Sequence, residues 1–474
     1  MLIAFSLAAQ GEVNENLKLS PGDGNANQEF GFSVALSNGL LAVGARFDDD
    51  NGAQAGSAYL YDAATGAQLD KLLAADGVAG DQFGFSIAID DGLVVIGAPS
   101  TDGNGAAFVF DATTGDQLHK LLAADGATGD EFGASVALDN GIVAVGSPRD
   151  DDSGNDSGAV YLFDASSGAQ IDKLAPIDGG ANNTFGEAVA MDNGVVVVGA
   201  HGHSHNGLLL FPGAAYLFDA ATGVQLAELR PDDAQSWDFF GSAVAIDSGV
   251  VAVGAWAKNI VFDHSGAAYV FDVASGLQIG SRIVPADTRD RQHFGISVAV
   301  DNGIVAIGAE GDIDNGFEAG AAYLYDAFSG MQIEKLLSGD GMVFDRLGGS
   351  ISMNAGMVAA GAVGGDSSTG AVYLFGSLSA DTDGDGVQDA TDNCTLEHNP
   401  DQRDTNGDGF GNSCDADLND DGTVNTVDLG LLKTVFFSAD PDADLNGDGT
   451  VNALDLGIMK ARFFELPGPS GVAP

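Results

Sequence analysis

The feature that most constrains this chain is a segment that recurs seven times before Gly376. Each copy begins with a Phe-Gly pair, degenerate in the seventh copy, and a Gly-Ala or Gly-Ser pair follows fourteen residues after the first residue of that pair. The copies begin at Phe30, Phe83, Phe132, Phe185, Phe240, Phe294 and Leu347. A period of roughly 50 residues is in the range of propeller blades and exceeds that of the shorter helical and leucine-rich repeats.

Each copy reads as four short β-strands. In the second copy these are SIAID, GLVVIGA, AAFVFD and QLHKLL, which are rich in β-branched and aromatic residues and are separated by Gly, Asp, Asn and Thr. The Asp90-Asp91-Gly92 junction is typical of a tight hairpin turn. Seven four-stranded units predict an all-β fold, a seven-bladed β-propeller over residues 10–380.

The two ends of the repeat region complement each other. Residues 17–20 (LKLS) have the pattern of a fourth strand, whereas the seventh copy stops after its third strand at Gly376. We therefore expect residues 17–20 to pair beside 371–375 and to close the ring.

The connections fall into two groups. Tight turns join first to second and third to fourth strands, so in an antiparallel blade they share one face. The other face, here called the long-loop face, receives variable loops at 46–55, 148–157, 201–212, 256–265 and 310–319. Since binding residues collect on variable loops of a rigid scaffold, we predict that this face binds an extracellular protein or a glycan.

Two groups of residues on this face are candidates for binding. His201, His203 and His205 would share one face of a strand and suit a transition metal, or they belong to an ordinary polar loop. Trp256, with Trp237 nearby, would either stack on a sugar or pack beneath the loop.

Phe-Gly, then Gly-Ala, then GAAYLFD resembles the FG-GAP repeat of integrin α-subunit propellers and of many secreted bacterial proteins. In integrins the calcium loops lie between first and second strands, where this chain has tight turns, so those sites are not carried over. The acidic stretches 48–51 (DDDN) and 312–315 (DIDN) either hold an ion weakly or are simply solvated.

From Asp381 the sequence changes to four twelve-residue loops. Each places oxygen donors at positions 1, 3, 5, 9 and 12, a backbone carbonyl at position 7 and glycine at position 6, which suits Ca²⁺. The predicted ligands are Asp381, Asp383, Asp385, Val387, Asp389 and Asp392; Asp404, Asn406, Asp408, Phe410, Asn412 and Asp415; Asp417, Asn419, Asp421, Thr423, Asn425 and Asp428; and Asp444, Asn446, Asp448, Thr450, Asn452 and Asp455. We therefore expect about four calcium sites within 381–455.

The first two loops, with DTDGDGVQDATDNC and NPDQRDTNGDGFGNSCD, resemble a thrombospondin type 3 repeat over residues 381–416. The only two cysteines, Cys394 and Cys414, lie in this acidic segment, and the resemblance implies that they form a disulfide. A disulfide fits an oxidising compartment. Because residues 381–416 have almost no apolar core, we expect this segment to fold only when calcium binds.

The last two loops form a duplication offset by 27 residues, and an apolar helical pattern follows each of them. Residues 417–464 resemble a type I dockerin, a small α-helical module related to EF-hands. The resemblance implies a cohesin partner contacted by Thr426, Val427, Lys433, Ala453, Leu454, Lys460 and Arg462. The alternative is a calcium-stabilised cap or surface tether. The Pro/Gly-rich tail 465–474 gives no sign of an anchor.

The net charge, the apolar runs and the first nine residues indicate which partners and which compartment suit this chain. With 69 acidic and 17 basic residues the net charge is −52, which argues against nucleic acid and anionic membranes. No apolar run approaches the roughly 20 residues of a membrane span. Residues 1–9 (MLIAFSLAA) read as a truncated signal peptide or as a frayed N-terminus, and we predict a secreted or extracellular protein.

The sequence contains no nucleophile elbow, phosphate-binding loop or HExxH helix, so we do not predict an enzyme. The preferred function is a calcium-binding recognition or adhesion protein. The alternatives are a polysaccharide-degrading component of a cellulosome-like complex, resembling a glycoside hydrolase or lyase, and a structural surface-layer or matrix protein.

Overall fold

A computed structural model of the chain describes residues 12–24, 26–204, 210–260, 262–365, 369–376, 393–395, 399, 403–406, 409–419, 421–447, 449–464 and 468. The chain divides into two compact units, Met1–Gly376 and Ser377–Pro474. The predicted signal peptide 1–9 lies outside the described residues.

The first unit consists of seven sheets, one for each repeat, whose strands run antiparallel in chain order. Blade one contains β3 (Phe30–Ser37), β4 (Leu40–Ala45), β5 (Ser57–Asp62) and β6 (Gln68–Leu72). Blade two contains β7 (Ser86–Asp90), β8 (Leu93–Ala98), β9 (Ala106–Asp111) and β10 (Gln117–Leu121), with a 3₁₀ turn at Thr101–Gly103. Blade three contains β11 (Ser135–Asp139), β12 (Ile142–Ser147), β13 (Ala159–Asp164) and β14 (Gln170–Leu174).

The other four sheets repeat this plan. Blade four contains β15 (Ala188–Asp192), β16 (Val195–Ala200), β17 (Ala214–Asp219) and β18 (Gln225–Leu229). Blade five contains β19 (Ala243–Asp247), β20 (Val250–Ala255), β21 (Ala267–Asp272) and β22 (Gln278–Ile283). Blade six contains β23 (Val298–Asp301), β24 (Ile304–Ala309), β25 (Ala321–Asp326), β26 (Gln332–Leu337) and β1 (Glu12–Asn14). Blade seven contains β27 (Ser350–Asn354), β28 (Met357–Ala362), β29 (Ala371–Phe375) and β2 (Leu17–Leu19).

The ring closes as the sequence predicted. Strand β2 pairs antiparallel with β29, with Leu17 opposite Leu374 and Leu19 opposite Val372. Blade seven is therefore built from both ends of the repeat region. The sequence did not predict β1, which adds a parallel fifth strand to the outer edge of blade six beside β26.

The signature residues of each repeat pack one blade on the next. Phe83 meets the rings of Phe108 and Phe110 of its own blade edge-on, at centroid distances of 5.4 and 5.8 Å. It is buried in one core cluster with Leu72 of blade one, and its backbone bridges Gly56 of that blade. A Cβ on Gly44 would lie 2.1 Å from the carbonyl oxygen of Gly84 in the following repeat, so only glycine fits. The constancy of both pairs therefore reflects contact between blades, and it explains why the spacing hardly varies.

The second unit, as far as it is described, has two helices, α1 (Thr426–Thr434) and α2 (Ala453–Ala461). Their buried faces share one small apolar cluster that includes Val424, Leu432, Val451 and Met459. Val424 and Val451, the position-8 residues of their loops, are both buried in it.

Candidate functional site

On the long-loop face, loops are held by lysines from the outermost strands. In blade one, Lys71 Nζ lies 2.7 Å from Asp23, 3.1 Å from Asp48 and 2.5 Å from Asp50. The same arrangement recurs at Lys173 with Asp125, Asp150 and Asp152 and at Lys335 with Asp287, Asp312 and Asp314. We call this arrangement the lysine clamp. It ties the loop that enters a blade to the loop between its second and third strands.

The lysine clamp bears on the two acidic stretches considered for ion binding. Carboxylate oxygens of Asp287, Asp312 and Asp314 lie within 4.8 Å of one another, a spacing suited to a metal ion. Lys335 Nζ, however, lies 2.8, 3.0 and 2.5 Å from these three residues. The ammonium group thus takes the central position that a metal ion would need.

The clamp in blade six shifts the pKa values of its members. Burial alone would raise the pKa of Asp312, but the charge of Lys335 and several hydrogen bonds hold it below the ordinary value. Burial would likewise lower the pKa of Lys335, and Asp312 together with its other carboxylate partners raises it. Because the folded pKa of Asp312 is depressed, its contribution to stability is present at neutral pH and is lost as pH falls through that pKa.

Replacing Lys335 with methionine is expected to destabilise the propeller by about 3 kcal/mol, because three carboxylates then lose a buried cation. The loss should be largest at pH 7 and smaller near pH 4, because without Lys335 burial raises the pKa of Asp312 and lets that carboxylate take up a proton. Denaturant unfolding at both pH values measures the change. The control is Lys18→Met, because the pair of Lys18 with the exposed Asp340 should contribute less than about 1 kcal/mol. An equal loss at both pH values would contradict this electrostatic explanation.

The three histidines do not line one strand face. Strand β16 ends at Ala200, so His201 and His203 lie in the following loop, and His205 lies outside the described residues. The His201 ring meets Phe239 edge-on at 5.4 Å. His203 is 4% exposed, and its Nδ1 lies 3.1 Å from the Tyr216 hydroxyl. Burial lowers the pKa of His203 below its ordinary value.

Aromatic side chains from blades four to six form a continuous group on the long-loop face. The rings of Phe239 and Trp256 are stacked at 5.7 Å, and Trp256 meets His293 at 5.1 Å. Phe211 lies 4.8 Å from Trp237, which in turn lies 6.1 Å from Phe239. We call Phe211, Trp237, Phe239, Trp256 and His293 the aromatic arc. Trp256 packs within it, whereas Trp237 remains 50% exposed.

The backbone of the aromatic arc is imposed by the repeat. Phe239 has φ of 53°, in the left-handed region that is unusual for a bulky residue. The residue before each other repeat start has the same conformation: Glu29, Gln82, Glu131, Thr184, His293 and Arg346 have φ between 52° and 60°. The scaffold therefore fixes the direction of this side chain in every blade, and blade five uses the position for an aromatic ring.

A cavity borders the arc and mixes aromatic with polar groups. It is lined by Arg149, Asp156, Asn182, Thr184, His201, Gly202, Phe211, Trp237 and Phe239. Thr184 Oγ1 lies 3.4 Å from His201 Nδ1. Apolar ring faces thus stand beside amide, carboxylate and guanidinium groups that reach polar ligand atoms.

The third acidic loop of the C-terminal unit has the features of a cation site. Asp417 Oδ2 accepts hydrogen bonds from the backbone N–H groups of Gly422 at 2.6 Å and Thr423 at 3.0 Å. Asn419 Oδ1 and Asp428 Oδ1 are buried, and neither has a hydrogen-bond partner among the described residues. Burial and the charge of Asp417 raise the pKa of Asp428. Buried oxygens of this kind fit Ca²⁺, which prefers six to eight of them.

The fourth loop repeats this geometry, although Asp448 lies outside the described residues. Gly449 N–H donates to Asp444 Oδ2 at 2.9 Å, and Asn446 N–H donates to Asp455 Oδ1 at 3.2 Å. The position-9 residue Asn452 caps helix α2 through a hydrogen bond from Leu454 N–H, just as Asn425 caps α1. Both predicted sites of the duplication therefore have one local plan.

The first two loops are described only in part. Residues 381–392 and Asp408 lie outside the described residues. Cys394 and Cys414 form the predicted disulfide. The Asn412 amide oxygen accepts a hydrogen bond from Thr405 N–H at 3.0 Å, and its amide nitrogen donates to the Pro441 carbonyl at 2.8 Å. Asn412 thus already has partners within the unit. Asn406, Phe410 and Asp415 of this loop remain predicted ligands.

The predicted partner-binding residues of the C-terminal unit lie at its surface. Val427 and Leu454, which occupy equivalent positions early in α1 and α2, are large apolar residues left exposed. Thr426, Lys433, Ala453 and Lys460 are also exposed, and Arg462 is half-buried. Both copies of the duplication therefore present a similar surface.

The comparisons with known proteins agree with this architecture. The model of the family described as FG-GAP repeat matches residues 13–61, 67–110, 116–163, 169–218, 224–271, 280–325 and 331–375. These matches cover more than half of the chain. The chain belongs to the FG-GAP repeat family. The model described as dockerin type I domain matches residues 415–464, which contain both helices of the C-terminal unit.

A chain in a solved structure titled "Crystal Structure of Mitotic Checkpoint Complex" is similar to the FG-GAP protein at a TM-score of 0.50 and 13% identity. The match covers 79% of this chain and 98% of that chain, and at this identity it concerns the fold alone. No curated protein matches significantly.

An FG-GAP propeller joined to a dockerin type I domain is typical of an extracellular protein, and a dockerin implies a cohesin partner. The disulfide is consistent with this compartment. Among the described residues, every helix is too short or too polar to span a bilayer.

Proposed function

We propose that this FG-GAP protein recognises carbohydrate outside the cell and that its dockerin module attaches it to a cohesin-bearing scaffold. The observation that supports this function is the aromatic arc beside a polar cavity on the long-loop face. The ligand class is a neutral polysaccharide, because a protein of net charge −52 repels polyanions.

Sugars suit this surface because a pyranose ring has an apolar face and a rim of hydroxyl groups. Trp237 offers a half-exposed ring for the apolar face. Arg149, Asp156 and Asn182 line the same cavity and supply donors and acceptors for hydroxyl groups. Since the scaffold holds Phe211 and Phe239 against Trp237, little side-chain freedom is lost on binding.

Attachment is assigned to the C-terminal unit. We propose that Ca²⁺ in the third and fourth loops orders α1 and α2, and that Val427 and Leu454 take part in the cohesin interface together with the other predicted partner residues. The segment 381–416 is proposed to act as a thrombospondin type 3-like calcium-binding connection between the propeller and this module.

Replacing Trp237 with alanine is expected to weaken binding of a neutral polysaccharide about tenfold, because one stacking surface worth roughly 1.4 kcal/mol is removed. The ligand is first identified by applying the full chain in calcium buffer to a panel of plant and marine polysaccharides. Affinity electrophoresis or calorimetry with the retained polysaccharide then measures the change.

The matched control is Phe328→Ala. Phe328 is an exposed aromatic residue in a tight turn of blade six, on the face opposite the arc, and its loss should leave binding unchanged. Equal affinity of Trp237→Ala and the unmodified chain would contradict the proposal. Turnover of the retained polysaccharide would favour the enzyme alternative, and calcium-dependent self-assembly would favour a matrix protein.

A further inference from the structure

Blade four departs from the lysine clamp at two positions. Glu228 lies opposite Tyr216 in the register that places Lys71 opposite Tyr59 in blade one. His203 follows the Gly-Ala glycine by four residues, as Asp48 does in blade one. The clamp lysine is thus replaced by a carboxylate, and the buried carboxylate is replaced by an imidazole.

The other blades all place a lysine in this cluster, five of them from the outermost strand. In blade five Lys258 stands instead at the position of Asp48, and Arg282 stands at the position of Lys71. Lys18, Lys71, Lys120, Lys173, Lys258 and Lys335 each pair with carboxylates of the entering loop or of the loop between second and third strands. Asp178, which keeps the position of Asp23, still faces the centre of the cluster in blade four. Seven equivalent centres therefore hold an ammonium in six cases and a His/Asp/Glu group in one.

The spacing of this group is close to that of metal ligands. His203 Nε2 lies 3.8 Å from Asp178 Oδ2 and 3.9 Å from Glu228 Oε1, too far for hydrogen bonds. All three ligand atoms lie within 4.8 Å of one another. Tetrahedral zinc with bonds of about 2.1 Å requires ligand separations of about 3.4 Å, so small side-chain rotations suffice.

Two polar groups contact the Nδ1 atom of the His203 imidazole, on the side away from the carboxylates. Its Nδ1 lies 3.1 Å from the Tyr216 hydroxyl and 3.2 Å from the Asn183 amide nitrogen, while Tyr216 also donates to Asp178 Oδ1 at 3.1 Å. The Asn183 amide nitrogen can only donate, so in this arrangement Nδ1 accepts its hydrogen bond and the ring proton lies on Nε2, directed at the two carboxylates. A metal ion needs the other tautomer, in which Nδ1–H donates to the Tyr216 hydroxyl, the Asn183 amide turns its oxygen towards the ring, and the Nε2 lone pair faces the carboxylates. Such outer contacts orient metal-binding histidines in proteins.

We propose that Asp178, His203 and Glu228 bind a divalent first-row transition metal ion such as Zn²⁺. One imidazole with two carboxylates suits zinc better than calcium, which prefers oxygen alone. The ligands come from the loop entering blade four, from the loop after β16 and from β18. The ion would therefore tie together the same three elements that the lysine clamp joins in other blades.

Arg230 is the competitor for this site. Its guanidinium group pairs with Glu228 and lies 3.4 Å from Asp178. Arg230 is partly exposed and can leave the cluster at modest cost. Metal binding must displace it, so Arg230→Gln is expected to bind Zn²⁺ more tightly than the unmodified chain.

The test uses the tag-free full chain with its calcium loops saturated. Calorimetric titration with ZnCl₂ and the visible spectrum of bound Co²⁺ are expected to show one site with an imidazole ligand. His203→Gln should weaken binding about tenfold or more. Glu228→Lys restores the residue found in other blades, so it should remain folded and lose the site. His119→Gln, at a half-buried histidine of β10 outside the cluster, is the matched control and should bind as the unmodified chain does.

Equal Zn²⁺ affinity of the unmodified chain, His203→Gln and Glu228→Lys would overturn the proposal, as would the absence of a cobalt signal that Glu228→Lys removes. Weaker binding by Arg230→Gln would show that Arg230 supports the ion instead of competing with it, and would overturn the assigned geometry. Circular dichroism of each variant verifies that the propeller remains folded.

Discussion

Removing calcium with EDTA is expected to unfold the dockerin module while the propeller keeps its strands. The module has one small apolar cluster around Val424, Leu432 and Met459, which is a modest core for some 50 residues. Its predicted ligands include Asp428, whose buried Oδ1 has no hydrogen-bond partner among the described residues. Binding of the ion at a thousand times its Kd contributes about 4 kcal/mol per site to stability, and this contribution is lost on chelation.

Separate spectroscopic signals follow the propeller and the dockerin module in the same sample. Both tryptophans, Trp237 and Trp256, are in the propeller, so tryptophan fluorescence follows that unit alone. We expect helical circular dichroism and cohesin binding to be lost in EDTA and restored by excess calcium, with tryptophan emission unchanged. The double variant Asp417→Ala with Asp444→Ala should behave in calcium as the unmodified chain does in EDTA. Equal protease resistance of residues 415–464 with and without EDTA would contradict the assigned ligands.

The propeller was predictable from the sequence because the same residues recur at the same spacing in every blade. Glycine at position 44 and phenylalanine at position 83 each satisfy a contact between adjacent blades, and that contact is made at every blade junction. Seven copies of one steric requirement leave a visible period. The closing strand 17–20 was predictable for the same reason. It has the fourth-strand pattern but precedes the first repeat, and the seventh repeat is the one that lacks a fourth strand.

The side-chain contacts of the candidate site were harder to predict from the sequence than the propeller. The lysine clamp joins Lys71 to Asp23 and Asp48, which are separated by 48 and 23 residues, so no local pattern indicates their contact. Superposing the seven copies would have shown an aspartate in every entering loop and a lysine at one position in five of the seven fourth strands. Glu228 is the one carboxylate at that lysine position, while the position of His203 varies and is aspartate in blades one, three and six. The spacing of the three histidines left a strand or a polar loop open, and the structure places His201 and His203 in a loop.

The aromatic arc was partly anticipated through Trp256. Its other members come from three loops: Phe211 from the loop after β16, Trp237 and Phe239 from the loop entering blade five, and His293 from the loop entering blade six. Only the ring geometry brings Phe239 beside Trp256. Strand β1 had no signal either, because a three-residue edge strand pairs through backbone groups that any sequence provides.

Disrupting the closing strand β2 is expected to cause the largest loss of stability in the propeller. Leu19 is 4% exposed and packs in one core cluster with Phe30, Tyr59 and Tyr61. Leu19→Asp places a charge in that cluster and removes its packing, which should cost about 4 kcal/mol or more. No hairpin turn joins β2 to β29, so release of β2 also leaves β29 as an open edge.

Denaturant unfolding followed by tryptophan fluorescence measures this loss, and proteolysis tests whether residues 12–24 are released first. The matched variant is Leu72→Asp, which places the same charge at the equivalent buried position of β6 in blade one. Since β6 is continuous with its own blade, Leu72→Asp should destabilise the ring without early cleavage near the N-terminus. Lys18→Thr alters a half-buried residue of β2 whose ion-pair partner Asp340 is exposed, and it should change stability little. If a chain beginning at residue 26 unfolds at the same denaturant concentration as the full chain, β2 does not close the ring.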